Sequence, residues 1–146
     1  LSKPTIPPYK DFLLVSRRGE IWDDISGFEG YFRISNFGRI KRMEREIVYS
    51  NGRIHLLKEK ILAPRLQRSP NQTMQDHTHQ LTAHLALDGK RFHLPIRRLV
   101  YNCFMSPFAL DDWKIIVVSR NGNGLDIRPR NLLLIPRDTK TKRIYK

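Results

Sequence analysis

The chain has 146 residues, 40% of them apolar, and carries 27 Lys+Arg against 14 Asp+Glu, a net charge of +13. That length fits one domain or two small modules on a shared core. No apolar run approaches the ~18 residues of a membrane span, and the lone Cys103 excludes an internal disulfide and a cysteine-based zinc site. The excess of cations points to a polyanionic partner, because each neutralised phosphate releases counterions; no membrane partner and no cofactor are expected.

Residues 1–19 hold Pro4, Pro7 and Pro8 with no clear period, which predicts an extended arm held by a partner. The chain opens on Leu1 rather than Met, which is expected of either an engineered start or a processed terminus. From Glu20 to Arg42, Gly27, Gly30 and Gly38 punctuate short aromatic strands, and Tyr31 to Asn36 alternates with period two. Trp22, Phe28, Tyr31 and Phe32 are expected mainly in the core. Ser50-Asn51-Gly52 predicts a hairpin turn between 46–49 and 53–56, with Tyr49 and Arg53 at a tip that can enter a groove. Residues 60–64 form a further short strand, and 67–76, with Ser69-Pro70-Asn71, read as a loop.

A second hairpin runs from His79 to Leu87, turns at Asp88-Gly89 and returns from Arg91 to Ile96. Leu99, Val100, Cys103 and Phe104 have helical spacing over 97–105. Residues 113–118 make an apolar strand and Asn121-Gly122-Asn123-Gly124 a turn. Asp126 is expected to cap a short helix with Pro129 in its first turn, and Leu132 to Ile135 follows as another apolar run. Arg120, Arg128, Arg130, Arg137, Lys140, Lys142, Arg143 and Lys146 face only Asp126 and Asp138 in the last stretch, so the positive field concentrates there. His77, His79 and His84 have no neighbouring carboxylate or thiol ligand, and a polar or phosphate-facing surface explains them better than a metal site.

The run Glu20 to Arg42, with Trp22, Ile25, Gly27, Phe28-Glu29-Gly30, Ser35-Asn36 and Gly38-Arg39, resembles the NUMOD-type nuclease-associated modular domain. The second half is similar to the HNH endonuclease module. Asp88-Gly89-Lys90 and Arg98-Leu99-Val100 fit its first hairpin and helix, and Gly122, Asn123, Leu125, Arg128, Pro129, Asn131 and Leu132 fit its core pattern. Together the two resemblances span about residues 20–142. They imply an α+β fold in which a small β-hairpin NUMOD module joins a degenerate ββα-metal (HNH-like) module. The expected division is an arm over 1–19, a NUMOD-like module over 20–66, an HNH-like module over 77–136 and a basic tail over 137–146.

Against the family pattern, the general-base position is Ser119, the metal position before it is Val118, the helical metal ligand falls on Lys140, and the His that opens the His-Arg-Leu-Val run is Arg97. A serine has no pKa near neutrality, valine offers no lone pair, and a lysine puts a cation where a cation must bind. Asn131 is retained, and the resemblance implies that it holds the loop by hydrogen bonds. These replacements lead to the expectation of a protein that is not an enzyme and has no metal site, a nuclease cleft converted to a phosphate-holding surface.

Arg33, Arg39, Lys41, Arg42, Arg53, Arg97, Arg98, Arg120, Arg128, Arg130, Lys140, Lys142 and Arg143 are the candidate contacts to nucleic acid. RNA is slightly preferred to DNA, in an RNA–protein assembly with other proteins, such as an organellar (mitochondrial) ribosome. The rival expectations are a DNA-binding protein, an active HNH homing endonuclease that cleaves DNA with a divalent metal, and an adaptor for an acidic protein partner.

Overall fold

A computed structural model describes residues 6–71 and 76–137. It shows the α+β architecture expected: short antiparallel strands around one helix. Strands β1 (Trp22–Asp24), β2 (Phe32–Ser35), β3 (Ile40–Arg42), β4 (Arg45–Val48), β5 (Ile54–Leu57) and β6 (Lys60–Leu62) occupy the first half. β1, β2, β3 and β6 form a four-stranded sheet in that order, while β4 and β5 pair only with each other. β2 buries Phe32 and Ile34 and exposes Arg33, the alternation its sequence predicts.

The motif Ser35-Asn36-Phe37-Gly38-Arg39 makes the turn into β3. Ser35 Oγ accepts hydrogen bonds from the N–H groups of Phe37 and Arg39, and Asn36 bridges Gly19 and Ile21 through its side-chain amide. Gly38 has φ +84°, and any Cβ there would run into Ile127 Cδ1, so the position suits only glycine.

β7 (Arg65–Asn71), β8 (Asp76–Leu87) and β9 (Lys90–Pro95) form a three-stranded sheet in that order. The Asp88-Gly89 turn has positive φ at both residues, which fixes the two-residue register Leu87↔Lys90. The segment 67–76 expected as a loop is therefore corrected: 67–71 belong to β7 and 76 opens β8, with 72–75 outside the described residues. Pro70, which argued for a loop, is tolerated because β7 lies at the sheet edge, where a missing N–H costs no ladder bond.

Helix α1 (Ile96–Phe104) follows β9 directly, and β10 (Ile115–Ser119) pairs antiparallel with β11 (Leu132–Pro136). α1 buries Ile96, Leu99 and Val100, and its end is closed by Met105 and Ser106 N–H groups donating to Tyr101 O. One core runs through both halves: Ile25, Phe28, Phe32, Ile34 and Ile40 meet Leu81, Ala83, Leu85, Ile96, Leu99, Val100, Val117, Ile127 and Leu132. Phe28 joins the halves, edge-on to Phe32 and to Phe92 of β9.

From residue 6 onward the N-terminal arm lies on the protein's own body. A 3-10 turn over Pro8–Lys10 seats Tyr9 against the core. Arg39 then takes the carbonyls of Asp11, Leu13 and Val15 at 3.3, 2.6 and 3.0 Å. With those carbonyls captured, the side chains of Phe12, Leu13, Leu14 and Val15 are left exposed.

Candidate nucleic-acid interface

Two of the cations expected on a binding surface are interior. Arg39 is 3% exposed and bonded to Glu20 as well as to the arm. Desolvation of the Glu20 carboxyl is outweighed by its bonds to Arg39, the Arg17 N–H and Ser35, which hold it below its usual range. Arg98 is 2% exposed, donates to the carbonyls of Leu110, Asp112 and Ile115, and lies between the rings of Phe108 and Trp113. Arg39 fastens the arm and Arg98 fastens the loop after α1. A guanidinium's five donors and planar faces let it satisfy several carbonyls at once, so burial without a phosphate is possible.

The other candidates divide by what they already touch. Arg33 sits 3.4 Å from Asp24, Lys41 lies 3.4 Å from Glu59 and 4.4 Å over the Trp22 ring, and Arg42 donates to Lys58 O. Arg128 grips both oxygens of Asp126 at 2.8 Å, which raises its own pKa and keeps Asp126 ionised. Arg53 is exposed beside the Asn51-Gly52 turn, and Arg120 and Arg130 are exposed at the β10–β11 hairpin. Lys140, Lys142 and Arg143 lie outside the described residues. Arg97 is half-buried and donates to Gln80 Oε1 at 3.2 Å; burial alone lowers its pKa, and no carboxylate partners it among the described residues.

Asp126 does not cap the short helix, as the sequence suggested. The residue before the 3-10 turn Pro129–Asn131 is Arg128, and Asp126 is drawn away to Arg128 and to Asn121 Nδ2. Asn131 closes the hairpin: its Oδ1 accepts from Asn121 N–H, and its Nδ2 donates to Asn121 Oδ1 and Asp126 O. Val118 and Ser119 pair with Leu133 and Leu132, and Ser119 Oγ is buried with no hydrogen-bond partner.

The HNH resemblance implies a divalent metal near this hairpin. The oxygens there do not fit one as arranged: those of Asp126 are taken by Arg128 and Asn121, and those of Asn121 and Asn131 by the loop itself. Among the described residues no three His, Cys, Asp or Glu side chains gather, so no reaction step is assigned to an ion at this place. Cys103 is no nucleophile either, since burial first and then Asp23 and Asp24 push its thiol up to about 11.

Sequence reasoning gave His84 a polar or phosphate-facing surface but missed what shares the outer face of the β7–β8–β9 sheet with it. Leu81, Ala83 and Leu85 point into the core, so Gln80, Thr82 and His84 take the other face, where His84 is exposed, Gln80 half-buried and Thr82 buried and bonded to Gln67. Register places Arg65 opposite Thr82 and His93 opposite His84. The signal was present: a two-residue turn at 88–89 pairs residues whose numbers sum to a constant, which brings the two histidines together.

Comparison with known proteins places these elements. Residues 20–74 match the family model of the NUMOD4 motif. The fold is similar to the solved structure described as "DNA binding and cleavage by the HNH homing endonuclease I-HmuI", with TM-score 0.51 and 20% identity over 84% of this chain. The match covers 56% of that chain, so this protein spans little more than half its length. No curated protein matches. Residues 20–74 thus carry a NUMOD4-type motif, within an α+β fold like that of an HNH endonuclease structure, as the motifs indicated.

The expectation of a protein that is not an enzyme is overturned by that likeness, which is to an endonuclease that binds and cleaves DNA.

Proposed function

We propose, for a chain that joins a NUMOD4 motif to an HNH-like fold, that it binds duplex DNA and serves as an HNH homing-type endonuclease on it. The observation that carries this reading is the pairing of the two parts in one chain: a motif match over 20–74 and a fold likeness that runs across 84% of the protein. The net charge of +13 suits the phosphate backbone, which supplies most sequence-independent affinity. Of the candidate cations, Arg42, Arg53, Arg97, Arg120 and Arg130 have no carboxylate partner among the described residues, and Arg42 is held by the Lys58 carbonyl; the other four stand free of such a hold on the backbone. They are the first choice for phosphate contacts, and Lys140, Lys142 and Arg143 stand with them by sequence. The RNA preference and the organellar ribosome gain no support from fold or comparison, and DNA takes their place.

The test is binding and cleavage in one assay, with labelled duplex DNA and structured RNA across a salt series, with Mg²⁺ or Mn²⁺. Tight duplex binding that weakens steeply with salt is the expected result, followed by nicking with Mg²⁺ or Mn²⁺ that depends on groups other than the Asp126, Asn121 and Asn131 oxygens, which the hairpin itself holds. Preference for structured RNA, or no duplex binding at low salt, would overturn the DNA reading. Duplex that is bound but stays intact with either metal would remove the cleavage and leave the binding.

A further inference from the structure

The outer face of the β7–β8–β9 sheet brings two histidines together. His84 of β8 and His93 of β9 are direct cross-strand partners, with ring centroids 4.1 Å apart and planes tilted by 35°. Both are exposed. Arg65 of β7 stands on the same face and acts on His84 electrostatically; Arg91 lies two residues before His93, hence also on this face. Further along, Gln80 receives the Arg97 guanidinium. From Gln80 to Ala86 of β8 and across to their partners on β7 and β9, this face carries no Asp or Glu; Asp76 stands at the far end of β8. Asp11 of the arm lines a water-sized cavity with His84 but is already paired to Arg17 and Arg39.

An imidazole this close to a second ring and to an arginine is harder to protonate: His84 is lowered by burial first, then by His93 and Arg65. Such a cluster of cations and proton-binding groups is costly to charge alone and becomes favourable once an anion sits on it. A divalent metal is the poorer occupant, because Arg65 repels it and no carboxylate completes its shell.

We propose that the stacked His84–His93 pair, flanked by Arg65 and Arg91, is a contact for the DNA phosphate backbone whose grip strengthens with proton uptake. This rests on the DNA-binding reading and deepens it: a second contact face, apart from the β10–β11 hairpin, through which pH sets affinity. The sign follows from the charges. A bound phosphate raises the histidine pKa, so binding takes up protons and affinity rises as pH falls.

The experiment is fluorescence anisotropy of a labelled duplex at constant ionic strength across the histidine range, on the intact chain, with calorimetry in two buffers of different ionisation enthalpy to count protons. A shift of about one unit in one histidine gives about tenfold tighter binding across that range, with net proton uptake. The double variant His84→Asn, His93→Asn should flatten the pH dependence while keeping the salt dependence and, because both side chains are exposed, the melting temperature. A double variant that keeps the native pH slope overturns the proposal, since His55, His77 or His79 would then carry it. Native protein that binds DNA with no pH slope also overturns it and leaves DNA binding standing. Failure to bind duplex at any pH removes both. Stoichiometric Zn²⁺ binding that disappears with the two histidines, at unchanged DNA affinity, would make the pair a metal seat and overturn the phosphate contact.

Discussion

Arg39 and Glu20 meet through two parallel hydrogen bonds, Nη2 to Oε1 at 2.6 Å and Nε to Oε2 at 2.9 Å, with both side chains almost wholly out of solvent. The same guanidinium holds three arm carbonyls, so one residue ties the arm to the turn before β3. Changing Arg39 to Gln leaves the Glu20 charge buried without its partner, a loss of about 3–5 kcal/mol. Thermal melts should show the loss, and limited proteolysis should cut first within residues 6–19.

Glu20 also sets a pH dependence. Its folded-state pKa is lowered, so its contribution is fully present above the unfolded carboxylate value and is lost as pH falls through the folded one. Acid titration of stability should therefore show a transition in the carboxylate range that Glu20→Gln reduces. An unchanged acid midpoint in that variant would contradict the assignment.

Arg98 is a structural cation. Replacing it with Met keeps the stem but abandons the carbonyls of Leu110, Asp112 and Ile115, at a cost of about 2–4 kcal/mol. Trp113 fluorescence should change, because the guanidinium lies 4.3 Å from that ring. DNA affinity per folded molecule should stay as it was, which separates this residue from a phosphate contact.

Asn131→Ala strips the β10–β11 hairpin of its cross-links, leaving the Asn121 N–H and the Asp126 carbonyl without their partner. The expected loss is about 1–3 kcal/mol, with faster amide exchange over residues 121–127 than elsewhere. Uniform exchange would argue that the hairpin is held by the β10–β11 ladder alone.

Gly38→Ala combines a left-handed backbone with a Cβ driven into Ile127, for a loss of about 2–4 kcal/mol. Pairing it with Ile127→Val should cost less than the sum of the two changes, since the smaller side chain relieves the contact.

Neutralising Arg53, Arg120 or Arg130 to Gln should leave stability nearly unchanged, as all three are exposed. For each of them that grips a phosphate, the change should reduce the slope of log affinity against log salt by about 1. A slope untouched by any of the three would move the interface elsewhere, to the outer sheet face first.

Much of this protein could be read from its residues in order. The alternation through Tyr31 to Asn36, the Asn51-Gly52 and Asp88-Gly89 turns and the helical spacing of Leu99, Val100 and Cys103 each concern neighbours within a few positions, where backbone geometry alone decides the outcome. The α+β class and the NUMOD and HNH-like parts follow from the same local patterns.

What only the tertiary structure decided is which charges face water. Arg33 and Arg39 look alike in the sequence, six residues apart, yet one is exposed and the other lies beneath the arm. Arg97 and Arg98 are adjacent and point to opposite fates, because a helix turns about 100° per residue: one meets Gln80, the other a nest of carbonyls and rings. Pro70 spelled a loop until β8 made its strand an edge. A charge's partners come from segments distant along the chain, and their positions exist only after the core has closed.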